Sequence, residues 1–260
     1  IYLGSGVGFT TTVADITLNY LYSIGGLNSS NVTQTACYKY DVSTGIWSSI
    51  ASLPVGKDRF ASALAGNTIL AIGGYNTDVQ QSTVYKYDIA GDAWTTAASL
   101  PLPIGWGKAV GYTNNYIYFA GGYDGANYLS TVYLYNITTD TWTTATSMPG
   151  GVFGGAFSIT GNTLVYVGGA NSGGIVSTVY VGTINPSDPT LITWTTAENA
   201  YPGLGREVTE YLNQHLADIM QTGKPNKDLT QEATTYPPGA MFRFDGSNWG
   251  TDGIIVASGS

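Results

Sequence analysis

Reactive side chains are scarce in this chain, and the scarcity excludes most chemistry. Its 260 residues hold one histidine, His215, one cysteine, Cys37, and three arginines, Arg59, Arg206 and Arg243. A zinc site drawn from His and Cys needs more ligands than this, and these two lie far apart in the chain. A Ser-His-Asp triad would have to use His215, which has no nucleophile motif beside it. Asp245-Gly246-Ser247-Asn248 through Asp252 offers oxygens to a calcium ion but lacks the spacing and closing glutamate of a calcium loop, so it reads as a turn. No metal and no cofactor is expected. What remains is cationic and aromatic. Arg59 stands 14 residues before Gly73 and Lys108 stands 13 before Gly121, and Arg243 comes close to the same register further on. With Asp58 and Trp106 they form the candidate ligand-binding set, a mixture of cation and aromatic ring of the kind enriched at binding hot spots. Loops after the diglycines add Tyr75, Asn76, Tyr123 and Asp124, on a face that the sequence does not align with the first set.

The elements that must position these residues repeat. Gly25-Gly26, Gly73-Gly74, Gly121-Gly122 and Gly168-Gly169 are spaced 48, 48 and 47 residues apart, and Trp47, Trp94, Trp142 and Trp194 follow them at near-constant distance. Between each pair lies Tyr38-Lys39-Tyr40-Asp41, Tyr85-Lys86-Tyr87-Asp88, Tyr133-Leu134-Tyr135-Asn136 or the degraded Tyr180-Val181-Gly182-Thr183. Ala61 to Leu64 and Thr68 to Ile72 read as two strands around the turn Ala65-Gly66-Asn67, and the pattern recurs at Ala109 to Tyr112 with Tyr116 to Ala120, and at Ala156 to Ile159 with Thr163 to Val167. A third strand, Ser-Thr-Val-Tyr at 82, 130 and 177, alternates and places its tyrosines on one face. A unit of this length fits one four-stranded propeller blade.

The order apolar strand, Gly-Gly, Tyr-x-Tyr-Asp, Trp resembles the kelch repeat, over residues 7 to about 202 and 239 to 260. The resemblance implies an all-β, kelch-like β-propeller of about five blades, or part of a larger ring, with residues 1–260 as a single domain. In kelch domains that bind acidic peptides, arginines at the entrance of the innermost strand line the channel mouth, and the resemblance carries such a role to Arg59 and Lys108. The kelch-like copper oxidases need two histidines and a cysteine-crosslinked tyrosine, which this chain cannot supply. Propeller sialidases need three arginines, which are present, but their Ser-x-Asp-x-Gly-x-x-Trp boxes are not. Kelch-type sialic acid epimerases remain the nearest enzymatic alternative.

Composition narrows the partner class. Charged residues make up 10% of the chain and the net charge is −8. Without a basic stripe to replace condensed counterions, nucleic acid is excluded as a partner. No apolar run is long enough for a membrane span. A polar but weakly ionic surface suits an extracellular or cell-surface protein. Cys37 occupies the slot of Val84, Val132 and Val179, so a small buried hydrophobe is its expected role.

One interval breaks the period. Segment 204–236 is an insertion rich in charged residues, and its positions Val208, Tyr211, Leu212, His215 and Leu216 recur at helical spacing. An amphipathic helix from Arg206 to about Gln221, stopped by Gly223 and Pro225, is therefore expected, as a cap on the rim or as a partner-binding element. The functional expectation is a non-enzymatic binding or scaffold module that recognises protein or glycan.

Overall fold

Short β-prone runs closed by turn residues fold as antiparallel strands. A computed structural model of the protein describes residues 11–15, 17–28, 30–197, 243, 244, 249 and 250. The first blade is β1 (Thr11–Asp15), β2 (Tyr20–Ile24), β3 (Cys37–Asp41) and β4 (Ile46–Ile50). The second is β5 (Ala61–Ala65) and β6 (Thr68–Ile72), a two-strand loop hairpin β7 (Tyr75–Asn76) and β8 (Val79–Gln80), then β9 (Val84–Asp88) and β10 (Ala93–Ala97). The third is β11 (Lys108–Tyr112), β12 (Tyr116–Ala120), β13 (Val132–Asn136) and β14 (Thr141–Ala145). The fourth is β15 (Ala156–Thr160) and β16 (Thr163–Val167), a loop hairpin β17 (Ala170–Asn171) and β18 (Gly174–Ile175), then β19 (Val179–Asn185) and β20 (Asp188–Thr196). Each blade is a four-stranded meander. The first strands touch from blade to blade, β1 with β5, β5 with β11, and β11 with β15, which sets the sheets side by side as propeller blades.

Both faces of the second strands in the two middle blades are buried, so β6 and β12 carry apolar residues at every position after the first instead of alternating with polar ones. In β6, Ile69 and Ala71 pack with Tyr22 and Ile24 of the first blade, while Leu70 and Ile72 pack with Ile117 and Phe119 of the third. Among the described residues the core is thus divided into three slabs, each lying between two neighbouring blades. Cys37 lies opposite Ile24 in the ladder, as Val84 lies opposite Ile72 and Val132 opposite Ala120. Its thiol is buried and pushed up to about 11 by that burial, well away from reactivity.

The rim is held by one repeated device. Trp94 Nε1 donates to the carbonyl of Ala51 at 2.8 Å, and the Ala51 amide donates to Asp92 Oδ1 at 2.8 Å. Trp142 and Asp140 hold Ala98 in the same way, at 2.8 Å and 2.8 Å, and Trp194 donates to Thr146 O at 2.9 Å. Tyr87 and Tyr135 complete the clamp with hydroxyl bonds to Asp92 at 2.8 Å and Asp140 at 2.5 Å. A tryptophan of one blade therefore grips the strand exit of the blade before it.

At the other end of the second strands, the diglycines receive the next blade. Gly26 donates to Lys57 O at 2.8 Å, Gly74 to Ile104 O at 2.8 Å and Gly122 to Val152 O at 2.9 Å. Gly73 and Gly74 sit at φ +62 and +84, and a Cβ on Gly73 would stand 2.4 Å from Ile104 O. Only glycine accepts both the left-handed backbone and the approach. The chain is all-β among the described residues, as the repeat predicted. The helix expected from Arg206 and the inserted segment 204–236 lie outside the described residues. Within residues 239 to 260, which the resemblance also covers, the pair β21 (Arg243–Phe244) and β22 (Trp249–Gly250) is described.

Candidate functional site

Two sets of loops that the sequence left unaligned share one face. Asp58 and Tyr75 exchange backbone bonds at 3.0 and 2.8 Å, Gly105 and Tyr123 at 3.0 and 2.8 Å, and Phe153 and Ala170 at 3.0 and 2.9 Å. The loops before the inner strands are thereby laddered onto the loops after the diglycines. A second series of bonds passes between blades: Trp106 N donates to Arg59 O at 2.8 Å and Gly154 N to Trp106 O at 3.0 Å. Arg59, Trp106 and Gly154 are all left-handed, at φ 52, 61 and 66. Glycine takes that conformation freely, whereas Arg and Trp hold it at a cost of about 1 kcal/mol each or more.

On this common backbone the side chains differ. Arg59 lies 3.0 Å from Asp58 Oδ2 through Nε and 3.0 Å from Asp78 Oδ1 through Nη1. Its guanidinium carbon is 5.2 Å from the centroid of Tyr75 and 5.7 Å from that of Trp106, within cation–π reach of both rings. Trp106 meets Phe153 edge to face at 6.1 Å, Phe153 stacks on Tyr128 at 5.3 Å, and Tyr128 leans on Tyr123 at 5.3 Å. An aromatic band thus runs from Arg59 toward the third and fourth blades. Val32, Val79 and Ile175, all exposed, stand on the loops around it.

Asp58 is the electrostatic oddity of the face. It is buried, and neither carboxylate oxygen finds a hydrogen-bond donor among the described residues. The Arg59 Nε contact has the distance of an ion pair but not the alignment of a hydrogen bond. Burial pushes the Asp58 carboxyl up, the Arg59 charge pulls it back, and Asp78 pushes it up again. Lys57, the residue before it, is buried too. Its ammonium donates to Gly73 O at 2.8 Å, Thr83 O at 3.0 Å and Thr83 Oγ1 at 2.7 Å, and desolvation lowers its pKa to about 7.

The structure brings Asp58, Arg59 and Trp106 together, but it corrects the equivalence of Arg59 with Lys108. Lys108 is the first residue of β11, opposite Ala120, and so corresponds to Thr11 and Ala61 of the first and second blades. Arg59 corresponds instead to Trp106 and Gly154. Counting from the diglycines misled because the hairpins between differ in length, from Ala65–Thr68 to Tyr112–Tyr116. Counting forward from Leu53-Pro54, Leu100-Pro101 and Met148-Pro149 gives the true register, with Lys57, Ile104 and Val152 in one buried slot. Asn76 and Asp124 are turned to local work, Asn76 on Gly56 O at 2.7 Å and Asp124 on the amides of Ala126 and Asn127 at 2.8 and 2.6 Å. Of Arg243 the strand backbone is described, and Val208, Tyr211, Leu212, His215 and Leu216 lie outside the described residues. The sequence reading missed Asp78, Tyr128 and Phe153, which sit in loops without periodicity.

Among the described residues no group of three or more His, Cys, Asp or Glu is arranged to hold a metal ion, and no helix is long and apolar enough to cross a membrane. A family model, the KLHDC2/KLHL20/DRC7 Kelch-repeats domain, matches residues 7–169. A solved structure described as "Structure of YjhT" is similar at 18% sequence identity and a TM-score of 0.64, over 78% of this chain and 68% of that one. At that identity the likeness is one of fold. No curated protein matches the sequence.

Proposed function

The chain belongs to the kelch-repeat family, and from that premise we propose that it is a non-enzymatic binding module for an acidic segment of a partner protein. One observation carries the reading: three loops share one hydrogen-bonded backbone, yet their corresponding residues change from Asp58-Arg59 to Gly105-Trp106 to Phe153-Gly154. Side chains that held the fold would repeat with it. These do not, and together they place the Arg59 guanidinium at one end of an aromatic band, with exposed apolar residues around. A carboxylate of the partner pairs with Arg59, and an adjoining apolar side chain lies on Trp106, Phe153 and Tyr128. The weakly ionic surface, 10% charged overall, suits an extracellular or cell-surface setting.

An array of acidic peptides and glycans tests the class of ligand. Arg59→Ala is expected to weaken a bound acidic peptide by about thirtyfold, the scale of a hot-spot residue. Because that variant strands Asp58 in the core, the pair Asp58→Asn with Arg59→Ala serves as the folded control. Unchanged affinity in the pair would refute the assignment.

A second reading draws on Asp58 alone. A buried carboxyl raised by desolvation, beside Arg59, is the kind of group that serves as a general acid once a movement of its loop brings it to a substrate, as a kelch-type epimerase or sialidase-like hydrolase would require. Turnover of a sialoside that disappears in Asp58→Asn would favour it, and binding without turnover would favour the module.

A further inference from the structure

We propose that Asp78 is a built-in stand-in for the ligand: the acidic group of the partner takes its place on the Arg59 guanidinium, so Asp78 sets how tightly and how selectively acids bind. The inference deepens the binding reading above and rests on it.

The two carboxylates on Arg59 are of opposite kinds. Asp58 is 1% exposed and fixed by the backbone ladder to Tyr75, so no ligand can replace it. Asp78 is 87% exposed and sits at the tip of the β7–β8 hairpin. The tip joins Asn76 to Val79 through Thr77 and Asp78, both left-handed at φ 46 and 62. Such a turn favours Asn-Gly, and a β-branched threonine is a poor occupant of it. Its geometry therefore runs against the preference of Thr77 and is set by the β7–β8 ladder, with the ion pair to Arg59 an added contact at the tip. An exposed ion pair is weak and screened by salt, which makes it exchangeable.

The guanidinium would stay aimed after the exchange. Tyr75 and Trp106 remain within cation–π reach, and Asp58 remains 3.0 Å from Nε. Charge favours the same sequence of events. Asp78 already occupies the Nη1 side of the Arg59 guanidinium with a like charge, so an incoming carboxylate is repelled there until Asp78 swings away. The hairpin tip then moves off without disturbing the Asp58–Tyr75 bonds at its base.

The test is fluorescence anisotropy of a labelled hexaglutamate peptide against the wild type, Asp78→Asn, Arg59→Ala and Asp88→Asn. Asp88 lies at the far end of β9 and is exposed, so its variant makes the same charge change away from Arg59. Asp78→Asn is expected to bind about fivefold tighter than wild type, the upper range of one exposed ion pair, with Asp88→Asn unchanged and Arg59→Ala weaker. Should Asp78→Asn gain no more than Asp88→Asn while Arg59→Ala still loses binding, the stand-in is refuted and the Arg59 site survives. Should neither wild type nor Asp78→Asn bind the peptide, both inferences fall.

Discussion

The outer rim and the loop face are built on the same repeat and use it in opposite ways. At the rim the clamp side chains recur: Trp94, Trp142 and Trp194 grip the preceding strand exit, with Asp92 and Asp140 beneath the first two. At the loop face the backbone recurs and the side chains do not. The difference follows from what holds what. Rim side chains hold backbone, so the tryptophan recurs in the second, third and fourth blades; on the loop face backbone bonds to backbone and glycine, which leaves positions 59, 106 and 154 open to differ.

Substitutions at matched places would break this contrast if it is wrong. Trp142→Ala removes a bond to Ala98 O and the packing against Tyr135 at 4.9 Å, and it should lower unfolding stability by about 3 kcal/mol, read from urea denaturation. The peptide affinity of the folded fraction should not change. A stable Trp142→Ala protein that fails to bind would place function at the rim.

Lys57 gives a smaller effect with a pH signature. It occupies a slot filled by Ile104 and Val152 in the next two blades, all three buried. Its folded pKa is about 7, against about 10.4 in an unfolded chain. Between these values the unfolded chain binds more protons, so stability rises with pH across the window; below it both forms are charged and the burial penalty is complete. Lys57→Met does not titrate. Its stability relative to wild type should be highest at pH 6 and fall by about 2 kcal/mol or more as pH climbs toward 10, whatever offset the lost bonds to Gly73 O and Thr83 add at every pH. A constant difference across that range would show that the ammonium is not desolvated in solution.

The smallest stability change is expected at Trp106→Gly. Loss of packing on Phe153 is offset by relief of a left-handed tryptophan at φ 61, so unfolding should shift by less than about 1 kcal/mol while acidic-peptide binding is lost. A large loss of stability there would make Trp106 a structural residue like its rim counterparts.

The same contrast explains what the sequence disclosed. Strands such as Thr68–Ile72 and Tyr116–Ala120 were legible to the residue because apolar runs end at glycine. The tryptophans and the Cys37 slot were legible because repetition aligns them. At the loop face repetition stops, and Arg59 was matched to Lys108 through hairpins of unequal length. Nothing in Arg59 or Trp106 announces a positive φ, since neither is glycine; Gly154 alone hinted at it. That the two loop sets share a face depends on bonds such as Asp58 to Tyr75, between residues whose types give no sign of pairing.

The rim clamps also have a direction. Ala51, at the exit of the first blade, lies under Trp94 of the second; Ala98 lies under Trp142 of the third, and Thr146 under Trp194 of the fourth. The blades overlap like slates, each pinned by the one laid after it. A slate in the middle of such a course is held twice, by the tryptophan it lays on its predecessor and by the one its successor lays on it, so the second and third blades each carry both halves of the clamp.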